Sequence, residues 1–88
     1  MDSQAYQHAR EALKAEDYKA AERAFKITLD SIDEGNEHYN NVQSYYGLAQ
    51  VLSANNNGLL LCRDAASNEM FDGDVFLNLA CAEWQSDN

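Results

Sequence analysis

The sequence has no proline, four glycines among its 88 residues, and no apolar run approaching the roughly 20 residues of a membrane span. Without proline, the strongest helix breaker is missing. Without a long apolar run, no transmembrane helix is expected, and no membrane partner. Basic residues are scarce too: six Lys and Arg stand against fifteen Asp and Glu, a formal charge of −9. That balance opposes the phosphate neutralisation on which nucleic-acid binding depends, so nucleic acid is not an expected partner. Cys62 and Cys81 are the only cysteines and lack CxxC spacing, which excludes a disulfide framework and a zinc site as readings. The start, "MDSQAYQHAR", lacks the basic and apolar regions of a signal peptide, and the expected location is cytoplasmic.

What is present is helical periodicity. A chain of this length makes one small domain that buries only about 60% of its unfolded surface. Its apolar residues recur at intervals of three and four, which predicts an all-α fold of about five helices. The first helix is expected from Asp2 or Ser3 to Lys14, with Ala5, Ala9 and Ala12 as a small-residue stripe. The second starts near Asp17 and carries Tyr18, Ala21, Phe25 and Leu29 on one face before Gly35. The third is anchored by Val42, Tyr45, Leu48, Ala49 and Leu52, and nothing in "EHYNN" prevents a start as early as Glu37. "NNNG" supplies a turn, the fourth helix spans about Asn57 to Glu69, and "FDGD" connects it to a fifth over about Asp74 to Trp84. Asp72 or Asp74 caps the fifth helix, whose stripe is Val75, Phe76, Leu79 and Ala80.

An internal repeat distinguishes a plain bundle from stacked hairpins. Tyr45, Leu48 and Ala49 share their spacing with Phe76, Leu79 and Ala80, while Ala5, His8 and Ala9 fit the same slots more weakly. Ala21, Phe25, Thr28 and Leu29 align with Gly58, Cys62, Ala65 and Ala66. With Asp17, Tyr18, Ala21 and Phe25 in the matching order, the chain resembles the tetratricopeptide repeat family, whose unit is a helix-turn-helix of about 34 residues. The resemblance implies antiparallel hairpins stacked as a short right-handed array of two and a half repeats. Repeat one covers about 2–35, repeat two about 38–71, and the first helix of an incomplete third about 73–85. The slots lie 40 residues apart from Ala5 to Tyr45 and 31 apart from Tyr45 to Phe76, so the units are unequal. Either extended second and third helices or a long loop at "DSIDEGNEH" absorbs the difference. The third unit lacks a second helix, which gives the expectation that the chain is a piece of a longer protein.

Catalytic chemistry finds no support in the residue pattern. His8 and His38 sit beside no nucleophile pattern, and the acidic pairs Asp33 with Glu34 and Asp72 with Asp74 lack the twelve-residue calcium loop. No catalytic residue, metal or cofactor is therefore expected. Gly47, inside the third helix, is read either as a close helix contact or as room for a bound peptide backbone. The resemblance implies that first helices of successive units line a concave groove. The expected groove residues are Tyr6, Arg10 and Lys14, then Tyr46 and Gln50, then Asn78 and Cys81; the alternative for Tyr6 and Tyr46 is packing between helices. Val75, Leu79 and Trp84 form the expected self-association face. The expected function is a non-catalytic protein-protein interaction module of an adaptor or scaffold, binding a peptide or partner helix. The alternative is a structural homo-oligomerisation domain that associates through its last helix.

Overall fold

The computed structural model describes residues 1–87 and contains α1 (Ser3–Lys14), α2 (Tyr18–Asp30), α3 (Tyr39–Leu52), α4 (Asn57–Asn68) and α5 (Gly73–Ser86). Among the described residues there is no strand, and the fold is all-α. Three helices begin at an aspartate whose side chain takes up an otherwise orphaned amide of the first turn. Asp2 Oδ1 accepts from Ala5 N at 3.0 Å, Asp17 Oδ1 from Ala20 N at 3.3 Å, and Asp72 Oδ1 from Asp74 N at 2.9 Å. Asp72 therefore takes the cap of α5, and Asp74 lies in its first turn.

Two turns are built alike. Glu16 and Ala54 adopt left-handed backbone angles, with φ of 63° and 71°, directly after α1 and α3. In each case the next amide closes the helix end: Asp17 N donates to Ala12 O at 2.9 Å, and Asn55 N to Gln50 O at 2.8 Å. The turn before α3 differs. Gly35 N donates to Asp33 Oδ1 and His38 N to Asn36 Oδ1, so local side-chain bonds hold 31–38 as a loop and α3 starts at Tyr39, not Glu37. The long loop, rather than extended helices, absorbs the extra length.

Each helix packs on the next in chain order, and α3 also packs on α5. One core cluster joins Ala9, Ala21, Phe25, Tyr45 and Ala49 across α1, α2 and α3; another joins Leu48, Val51, Cys62 and Ala82 across α3, α4 and α5. Phe25 is fully buried, stacked on Tyr45 at 5.4 Å between centroids and edge-on to Tyr6 at 6.1 Å. Between α3 and α4 the backbones touch. A Cβ on Gly47 would lie 2.5 Å from Gly58 O, and one on Gly58 would collide with Gly47 O. Gly47 therefore serves the helix crossing, and the room beside it is filled by α4.

Burial corrects the internal alignment of the odd-numbered helices. Val42, Tyr45 and Ala49 are the interior residues of α3 that match Val75, Asn78 and Ala82 of α5, a shift of 33 residues rather than 31. The equivalent turns place Glu16 against Ala54, a shift of 38 rather than 40. Both corrections move α3 alone, by two residues. The even-numbered helices keep the expected frame: Ala21, Phe25 and Thr28 are buried, as are Gly58, Cys62 and Ala65.

Candidate functional site

α1, α3 and the start of α5 meet along one side of the molecule, joined by side-chain hydrogen bonds. Tyr6 Oη donates to Asn41 Oδ1 at 2.6 Å, and Asn41 Nδ2 donates to Asp72 Oδ2 at 2.8 Å. Tyr45 Oη donates to Asp74 Oδ2 at 3.1 Å. The chain of contacts thus runs from α1 through α3 to the cap of α5 and fixes the three elements relative to one another. Burial pushes the Tyr45 phenol up to about 12, with Arg10 opposing the shift and the bond to Asp74 adding to it. Tyr45 is therefore a neutral donor across the physiological range.

Arg10 is the exposed group on this side. Its guanidinium lies 4.7 Å from the Tyr45 ring centroid and 5.7 Å from that of Tyr6, and Nη1 donates to Tyr6 Oη at 3.1 Å. A cation over aromatic faces at this exposure contributes about 0.5–1 kcal/mol, enough to bias its direction. Gln7, Arg10, Glu11, Leu13, Lys14 and Tyr45 line a shallow cleft of about 430 Å³. Arg10 and Lys14 give it two cations in a strongly acidic protein.

The expected groove residues divide. Tyr6, Arg10 and Lys14 lie on this side, but Tyr46 and Gln50 do not. Tyr46 faces α2, where it lines a depression with Glu22, Arg23, Lys26 and Ile27 and has Lys26 Nζ 5.9 Å from its ring. Gln50 Nε2 donates to Tyr46 Oη at 3.1 Å, and its Cβ stands at the Gly47–Gly58 crossing. Tyr45, one position earlier, takes the place beside Arg10, as the two-residue correction of α3 requires. Asn78 is buried, with Nδ2 donating to Ser44 Oγ at 3.0 Å, so its expected place in the groove is corrected to the interior. Cys81 is exposed on α5.

The expected self-association face is corrected in the same way. Val75 is fully buried and Leu79 packs against the cluster of Leu48, Val51, Cys62 and Ala82; only Trp84 is exposed, at 71%. The exposed apolar residues of α5 are instead Phe76, Leu77, Ala80, Cys81 and Trp84. Asn41, Tyr45 and Asp72 were not among the expected site residues. Asn41 and Asp72 read as helix-start residues, and the misplaced frame of α3 assigned Tyr45 to the core alone.

A second concavity of about 760 Å³ lies between the loop before α3 and α4, lined by Glu34, Tyr39, Asn40, Gln43, Leu61, Asp64 and Asn68. Gln43 Nε2 spans it, donating to Leu61 O and Asp64 Oδ2 at 3.0 Å each. It holds no nucleophile beside a base. His8 and His38 are both exposed, and His38 lies 3.4 Å from Glu37. Cys62 is buried with Sγ donating to Ser44 O at 3.3 Å, and burial pushes its thiol up to about 12. No group of three or more His, Cys, Asp or Glu residues among the described residues could hold a metal ion. No helix among the described residues is long and apolar enough to cross a membrane.

Fold and site together define an all-α domain of packed neighbouring helices with an ordered α1/α3/α5 side. Comparison with protein-family models, curated proteins and solved structures gave no match.

Proposed function

We propose that this chain is a tetratricopeptide-like array of helix hairpins acting as a non-catalytic protein-protein interaction module, with the α1/α3/α5 side receiving a peptide or partner helix. The observation that supports this reading is the hydrogen-bonded connection Tyr6–Asn41–Asp72, with Arg10 exposed above Tyr45. A side already fixed by its own hydrogen bonds loses little conformational freedom on binding. Its exposed cations can then orient an acidic or polar segment. The repeated Val–Tyr–Ala and Val–Asn–Ala interior pattern of α3 and α5 supports the repeat architecture.

The test is a peptide library selected on the domain, with the enriched peptides then measured against Arg10→Ala and Lys14→Ala variants. Affinity should fall about tenfold or more with the thermal midpoint nearly unchanged, since both side chains are exposed. Enriched peptides that bind both variants as tightly as the parent protein would place recognition elsewhere.

A further inference from the structure

The corrected register gives the outward side of α5 a counterpart inside the molecule. Shifted by 33 residues, Phe76, Leu77, Ala80, Cys81 and Trp84 correspond to Gln43, Ser44, Gly47, Leu48 and Val51 of α3. All five residues of α3 are buried. α4 covers much of that face through the Gly47–Gly58 contact, the bond from Gln43 to Leu61 O and the bond from Cys62 to Ser44 O. On α5 the same positions are exposed, with Phe76 at 43%, Leu77 at 61% and Trp84 at 71%. They are also more apolar than their counterparts, because Phe, Leu and Ala replace Gln, Ser and Gly. The side of α5 therefore has the shape of a seat for a helix lying as α4 lies on α3, at a slightly wider approach because Ala80 stands where Gly47 does.

The charge around this seat has one sign. Arg63 is the last cation of the sequence, and Asp64, Glu69, Asp72, Asp74, Glu83 and Asp87 follow it. The last turn of α5 has no basic residue to complement the negative end of its dipole. Arg63 approaches Glu83 at 3.7 Å, which leaves the other carboxylates without a cation from α5. A second copy seated α5 against α5 would bring like charges together, which is unfavourable. We propose that the outward face of α5 is a docking site for an amphipathic helix of a protein partner, with small and apolar residues along its contact stripe and Lys or Arg at its edges. The proposal rests on the reading of the domain as an interaction module, but names a surface other than the Arg10 cleft.

Trp84 is the only tryptophan and lies on this face, so its emission reports occupancy. The probe is a synthetic amphipathic helix with an Ala/Leu stripe and Lys/Arg edges, together with a twin carrying Glu at the same edges. The cationic peptide should shift Trp84 emission to the blue, and the anionic twin should bind at least about tenfold more weakly. A Phe76→Gln, Leu77→Gln variant should lose about tenfold in affinity for the cationic peptide while its thermal unfolding stays unchanged, because both residues are exposed. Equal binding of the twin, full binding by the variant, or no binding of either peptide would overturn the proposal. So would a blue shift that appears with protein concentration alone, since the occupant would then be a second copy. Failure here with intact peptide selection at Arg10 and Lys14 would leave the α1/α3/α5 reading standing.

Discussion

At the scale of single residues, the fold depends most on the two glycines at the α3–α4 crossing. A methyl group at either position meets backbone, which cannot rotate away as a side-chain tip can. Gly47→Ala should therefore destabilise by about 1–3 kcal/mol, against the small gain that alanine brings to an open helix position. For a domain of this size that lowers the thermal midpoint by roughly 4–8 °C for each kcal/mol. Gly73→Ala is the control, since nothing lies within 4 Å of its added Cβ. A Gly47→Ala protein as stable as the Gly73→Ala protein would show that α4 can slide at little cost.

At the scale of elements, the connection from α4 to α5 is held by one carboxylate. Glu69 accepts from Phe71 N at 3.1 Å, Asn40 Nδ2 at 3.2 Å and Asp72 N at 3.0 Å, and these bonds, that from Phe71 first, hold its pKa below the usual value. A depressed folded pKa gives stability that is present above the unfolded value, about 4.3 for glutamate, and is lost as pH falls through the folded value. Tyr45 behaves oppositely: with its pKa raised to about 12, it contributes below the unfolded value of about 10 and the contribution is lost as pH climbs through 12. Thermal midpoints measured from pH 2 to 12 should fall at both ends, and Glu69→Gln should flatten the acid limb while leaving the alkaline one. An acid limb identical in the variant would show that Glu69 does not hold the connection. Much of this level was legible in the sequence. The five helices, the caps at Asp2 and Asp17, and the interior stripe of α2 follow from spacing and local hydrogen-bonding chemistry. The register of α3 was not, because this helix is buried on nearly every side and its apolar pattern no longer singles out one face. Tyr45 and Tyr46 are equally good aromatic anchors in sequence, and packing of α4 through Gly47 decides between them. The same ambiguity placed Tyr46 and Gln50 in the groove and Val75 and Asn78 on surfaces.

At the scale of the whole molecule, the hairpin of α1 and α2 and the hairpin of α4 and α5 are joined through α3, which packs on α2, α4 and α5 and shares aromatic contacts with α1. Amides in the middle of α3 should therefore exchange with solvent only through global opening, while those of α1 and α5 exchange faster by local fraying. Native-state hydrogen exchange measures this directly, and protection in α3 no greater than in α5 would contradict the arrangement. The same chain-order packing has a kinetic consequence. Neighbours in space are mostly neighbours in sequence, so few long loops must close before contacts form. A chain of such low contact order should fold in microseconds to milliseconds, with α3 as the element on which either hairpin can nucleate.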